Sequence, residues 1–155
     1  MSIFAFFDRV FYLSNYRDVF VALQQGDLKN ALEHYTLFGG RELRDPNEFF
    51  DAQFYALQNL DVVGAVFKGV FENVFQHYQL FGEKENRIPS EEYSTFDSLR
   101  YLQSNPDVAA AVANGTFSSA LDHFLSFGQR ESRPGTGFSS SLSLTQVIDV
   151  LTGTI

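Results

Sequence analysis

The chain has 155 residues, 45% of them hydrophobic, with 19 acidic against 11 basic side chains and a formal charge of −8. That is enough apolar material to bury a core and too little basic charge to neutralise phosphates, so neither a nucleic-acid partner nor an anionic membrane surface is expected. Cysteine is absent, which removes disulfides, thiolate zinc sites, iron–sulfur clusters and cysteine nucleophiles together.

The chain opens on an apolar run that includes Ile3, Phe4, Phe6 and Phe7. It lacks a basic leader and is interrupted by Asp8 and Arg9, so a cleaved secretory signal is not expected. No segment reaches the roughly 18–20 apolar residues needed to span a bilayer.

From Asp8 onward the sequence repeats itself. Asp8, Asp51 and Asp97 are each followed four residues later by Tyr12, Tyr55 or Tyr101, and ten residues later by Asp18, Asp61 or Asp107. Then come Gly26, Gly69 or Gly115, and His34, His77 or His123. Phe-Gly follows (Gly39, Gly82, Gly128), then Glu42, Glu85 or Glu131, then Arg44, Arg87 or Arg133. A proline closes each unit: Pro46, Pro89, Pro134. The columns align without a gap from Asp to Arg, at intervals of 43 and 46 residues. A fixed period of this length is the signature of a repeat architecture. The units run 1–46, 47–89 and 90–134, followed by a tail, 135–155.

Each unit reads as three short helices, most plainly in the third copy. A first helix runs from about Asp97 to Ser104. Asn105-Pro106-Asp107 then reads as a helix start, with Asn as the cap, Pro at the first helical position and Asp at the positive end. Val108 to Ala113 continues it and Gly115 stops it. A third helix runs from Ala120 to Phe127. Helices this short are not stable alone and must be held by packing. In the first copy Ala31, Tyr35 and Phe38 fall at i, i+4 and i+7 with Leu32 beside them, which predicts a buried stripe. Phe4, Phe6 and Phe138 lie outside the repeated aromatic columns and are expected at contacts between subunits.

The pattern Tyr101-Leu102-x-x-Asn105-Pro106-Asp107-Val108, Gly115, His123-Phe124-x-x-Phe127-Gly128-x-x-Glu131-x-Arg133-Pro134 resembles a bacterial tandem repeat of about forty residues. The resemblance covers about residues 4–134. In the first two copies Tyr16-Arg17 and Asn59-Leu60 stand where the third has Asn-Pro. Such repeats occur in secreted or surface proteins of cyanobacteria and proteobacteria, often beside hemolysin-type (RTX) calcium-binding modules. The resemblance therefore implies a bacterial surface or extracellular setting, and no common activity.

Three recurring histidines invite a metal reading, because imidazole is a common ligand. Each copy supplies only one, with no second His at i+4, and a partly buried His bonded to a neighbouring segment is the competing reading. The Glu-x-Arg pairs either hold the exit of the third helix by charge-assisted hydrogen bonds or form a carboxylate with an anion clamp. Against catalysis stands repetition, since an active site is normally a unique constellation. No nucleophile elbow, zinc-protease, P-loop or dinucleotide fingerprint occurs.

The tail opens on Gly135-Thr136-Gly137 and carries one charge, Asp149. Leu144, Val147, Ile148 and Leu151 fall at i, i+3, i+4 and i+7, an amphipathic helix, although Leu142 to Thr145 alternates as a strand would. It reads as an uncleaved secretion signal, as an arm that docks on a neighbouring subunit, or as a segment folded back on its own last repeat. The expectation is an all-α short solenoid or compact array with a C-terminal arm. It is a non-enzymatic, self-assembling protein of the cell surface or extracellular matrix, needing no cofactor or metal and taking itself as partner. A soluble adaptor for protein or glycan is the alternative, with a cytoplasmic location the alternative to export.

Overall fold

The computed structural model describes residues 6–134. Among these, nine α-helices form three similar units. The first holds α1 (Arg9–Asn15), α2 (Arg17–Gln25) and α3 (Ala31–His34). The second holds α4 (Ala52–Gln58), α5 (Leu60–Phe67) and α6 (Val74–His77), and the third α7 (Ser98–Ser104), α8 (Pro106–Ala113) and α9 (Ala120–His123). The principal helix packing is within units, each helix against the other two of its own set. Phe4, Phe138 and the tail stripe Leu144, Val147, Ile148 and Leu151 lie outside the described residues, as does the choice between helix and strand there.

Side-chain caps start two helices of every unit. Asp8, Asp51 and Asp97 accept backbone N–H groups of α1, α4 and α7. Asn30, Asn73 and Ser119 accept from the amide three residues on, opening α3, α6 and α9. Each such bond satisfies an orphan donor and contributes roughly 1 kcal/mol. The middle helices differ from expectation. Asn105 does precede α8, with Pro106 at the first helical position, but its side chain makes no N-terminal cap. Its amide instead donates to Tyr101 O at 2.8 Å and Pro134 O at 2.9 Å. Only one residue separates α7 from α8, so Asn105 turns back to satisfy a carbonyl of the helix just ended. Asn59 does the same toward Tyr55 O. The middle helices end before Gly26, Gly69 and Gly115, whose φ values of +82°, +73° and +79° are left-handed and favour glycine.

The core is one short set of columns. Tyr12, Tyr55 and Tyr101 are wholly buried, as are Val19, Val62 and Val108 to within 1%. Ala31, Val74 and Ala120, then Tyr35, Tyr78 and Phe124, and with them Phe50 and Phe96, are buried beside them. Full burial of one such apolar side chain contributes about 1.5–3 kcal/mol, and it is this packing that holds helices of four to nine residues. The expected stripe is only half right. Ala31 and Tyr35 are buried, but Leu32 is 51% exposed, and Phe38, with its equivalents Phe81 and Phe127, is about half exposed. The reason is a π-helical turn that continues every third helix: Tyr35–Gly39, Tyr78–Gly82 and Phe124–Gly128. Its wider turn rotates the seventh residue off the inward face. The glycine after it takes that place, directly against the hydroxyl of Tyr12, Tyr55 or Tyr101.

Backbone bonds close the first two units. Asp8 N–H donates to Pro46 O at 2.9 Å and Asp51 N–H to Pro89 O at 3.1 Å. Pro134 stands one residue nearer its arginine than the other two prolines. The extra spacing after Pro89 forms a 3₁₀ turn, Glu91–Tyr93, capped by Ser90, which buries Tyr93. Units meet through the segment after each π turn and the start of the next unit's third helix. Gly40 lies on Asn73 so closely that a Cβ there would come within 2.5 Å of the amide nitrogen. One unit on, Ser119 Oγ donates to Glu83 Oε1 at 3.4 Å. Phe75 sits between Tyr35 of the unit before (ring centroids 6.2 Å) and Phe50 of its own (4.9 Å).

Candidate functional site

The repeated polar residues converge into one cluster per unit. Tyr12 Oη and His34 Nδ1 lie 3.0 Å apart; Tyr55–His77 and Tyr101–His123 are both 2.9 Å. In the second unit His77 Nε2 faces Glu85 Oε2 at 4.0 Å. That carboxylate favours a proton on Nε2, which leaves Nδ1 to accept from the tyrosine. The glutamates in turn accept from arginine Nε: Arg44 to Glu42 at 2.7 Å, Arg87 to Glu85 and Arg133 to Glu131 at 2.6 Å. Each arginine then reaches back to the second helix. Arg44 grips both oxygens of Asp18 at 2.9 and 2.7 Å, and Arg87 both oxygens of Asp61 at 3.0 and 2.8 Å. Arg133 contacts Asp107 at 2.8 Å.

The residue between each Glu and Arg has a left-handed backbone: Leu43 and Asn86 at φ 55° and Ser132 at φ 50°. A non-glycine residue pays a conformational cost there. The Glu and Arg on either side hold the turn by pointing at the same set of partners. The column at position 16 adapts to the arginine it faces. Tyr16 places its ring 4.9 Å under Arg44, a cation–π contact, and Asn59 accepts from Arg87 at 2.7 Å.

Burial pushes His34, His77 and His123 below the usual imidazole range, with the nearby arginine acting in the same direction. Hydrogen bonds from arginine hold Asp18, Asp61 and Asp107 below the usual carboxylate range. Burial raises the tyrosines, Tyr101 to about 12 and Tyr12 and Tyr55 further. One side chain from each helix and two from the exit segment thus form a line from the core to the surface: neutral phenol, neutral imidazole, carboxylate, guanidinium, carboxylate. The arrangement ties three helices and their exit together. It leaves each histidine only its Nε2 edge, and among the described residues no three His, Asp or Glu side chains gather as a metal site.

Sequence reasoning paired Glu with Arg and missed two partners. Every Tyr–His pair is separated by 22 residues and every Asp–Arg pair by 26. Those constant spacings were the available signal. Phe6 is 41% exposed, and its carbonyl accepts from buried Asn47 at 2.8 Å. Around the histidines the outer phenylalanines form a ladder. His34, His77 and His123 meet Phe38, Phe81 and Phe127 in tilted ring contacts, with centroids 5.7, 6.0 and 6.1 Å apart. Phe71 and Phe117 meet the rings of His77 and His123 edge-on.

No family model, curated protein or solved structure matches this chain. No described helix is long and apolar enough to cross a membrane.

Proposed function

We propose that this chain is a non-enzymatic structural protein that assembles with copies of itself, through the end of its array and its C-terminal tail, into a bacterial surface filament, layer or matrix. One observation carries the reading. Phe75 and Leu121 are 3% and 4% exposed because the preceding unit covers them, whereas Leu32, at the same position of the first unit, is 51% exposed. Among the described residues, Leu32 thus presents an apolar surface of the kind on which neighbouring units of such an array stack. Export rests on the resemblance to surface-protein repeats and on the near-uncharged tail. Sedimentation velocity across a concentration series, with electron microscopy of the purified protein, tests it. Species that grow with concentration are expected, and Leu32→Glu should shrink them without unfolding the chain. A monomer at every concentration overturns the proposal.

The half-exposed ladder Phe38, Phe81 and Phe127 favours a second reading, an adaptor that holds another protein or a glycan along that face. Replacing all three by serine would abolish capture of such a partner and leave self-association intact.

A further inference from the structure

The two junctions differ in a way the repeat itself does not require. Beside the first lies a groove of about 560 Å³, walled by Leu43, Ala56, Val63, Val66, Phe67 and Phe71, with Arg41 also lining it. Val63, Phe67 and Val70 of the second unit correspond to Ala109, Ala113 and Thr116 of the third. The third unit folds to the same helices with those smaller side chains, so bulk at these positions does not serve the helices. Phe67 is nonetheless 88% exposed and Val70 64%. Large apolar groups held in water beside an open groove mark a contact surface.

The chain itself carries a segment of fitting chemistry. Leu144, Val147, Ile148 and Leu151 recur at i, i+3, i+4 and i+7, the anchor spacing by which an amphipathic helix lies in an apolar groove. The segment has one charge, Asp149, and no basic residue. The groove lining carries Arg41 and Glu72, and Lys68 stands between the lining residues Phe67 and Gly69, which leaves one positive charge in excess there. The nine residues 135–143 join the segment to Pro134 and reach at most about 30 Å.

We infer that the groove between the first and second units receives residues 144–151 of a second copy of this chain. This rests on the self-assembly reading and adds the two surfaces that meet.

Because the chain has no cysteine, single cysteines report the contact directly. Full-length Val70→Cys is mixed with full-length Ile148→Cys under mild oxidation. A disulfide-linked heterodimer is expected at least tenfold above a control in which Leu57→Cys, exposed on α4, replaces Val70→Cys. Phe67→Glu in the groove-bearing chain should remove the excess, since a position 88% exposed tolerates charge without unfolding. Equal linking of Val70→Cys and Leu57→Cys overturns the inference. So does a Val70→Cys/Ile148→Cys chain that closes only on itself, which would place the tail in its own groove. Growth of assemblies without the specific link sinks the tail–groove contact and leaves self-assembly standing. A strictly monomeric profile sinks both.

Discussion

At the first junction an aromatic ring, Phe75, is wedged between Tyr35 and Phe50, and backbone lies on side chain where Gly40 meets Asn73. At the second, the aliphatic Leu121 fills the same position, and the glycine–asparagine contact is replaced by a hydrogen bond from Ser119 to Glu83. Both residues end up equally buried, so the two joints bury the same column by different chemistry. The Tyr–His pair and the Arg–Asp–Glu turn, which lie inside each unit, are the same in all three. The framework of a unit is therefore kept, while the joint and the outer wall are where the copies diverge.

The comparison can be broken most severely at the wedge. Phe75→Ala should cost about 3–5 kcal/mol, read from urea unfolding, and Leu32→Ala at the uncovered equivalent should cost well under half of that. Equal costs would mean that the unit before does not support Phe75.

Next comes the shared framework. A Cβ on Gly82 would run into the Tyr55 hydroxyl and come within 2.9 Å of the Tyr78 ring. Both rings are buried, so Gly82→Ala should destabilise by about 1–3 kcal/mol through overpacking. Gly40→Ala, at the joint, should cost less, because the new Cβ meets one side chain, Asn73, rather than two buried rings. A ranking the other way would place the tighter constraint at the joint.

Tyr55→Phe removes the hydroxyl that pairs with Nδ1 of buried His77 and should cost about 1–2 kcal/mol. Tyr12→Phe should cost less, because His34 is only half-buried where His77 is buried. Chemical denaturation of the two variants, each with and without its histidine changed to Phe, isolates the pair energy.

The smallest effect is that of pH. The folded-state values of the histidines lie below 6.5 and those of Asp18, Asp61 and Asp107 below 3.8. The unfolded chain then binds more protons, so both sets stabilise at neutral pH and withdraw that stability as pH falls. The histidine part is lost first, below about 6.5, and the aspartate part below about 3.8. Urea midpoints from pH 8 to 4 should fall, and His77→Gln should flatten the upper part of that fall. A midpoint that rises on acidification would contradict the buried, neutral imidazole.

Much of this fold is legible in the sequence because three copies average out local ambiguity. The glycine stops, the third-helix starts and the triplication itself follow from residue type and spacing. Phe38 was misplaced because the i, i+4, i+7 rule assumes 3.6 residues per turn, and a π turn has more. Gly39, Gly82 and Gly128 carried the hint, since a glycine repeated just where a helix should continue implies something pressed against its backbone. Asn105 was misread because its residue type fits a start and an end equally, and only the adjacency of α7 and α8 decides between them. The tyrosine half of the histidine pair was obscured by its type: a tyrosine on an apolar face reads as core, and here it is core with a hydrogen-bonding tip. The groove was not legible at all, since it arises from differences between copies that a repeat alignment sets aside.

The backbone bonds from Asp8 to Pro46 and from Asp51 to Pro89 have a mechanical consequence. Each of these units begins and ends at nearly one point, like a bead whose thread enters and leaves by the same hole. Tension along the chain would load those closures, and a unit that gave way would release the 39 residues from its Asp to its Pro as extended chain, about 130 Å at roughly 3.3 Å per residue. With the principal helix packing confined to each bead, its neighbours can stay folded while it opens. A strand built of such beads would lengthen stepwise under load and shorten again when the load is removed.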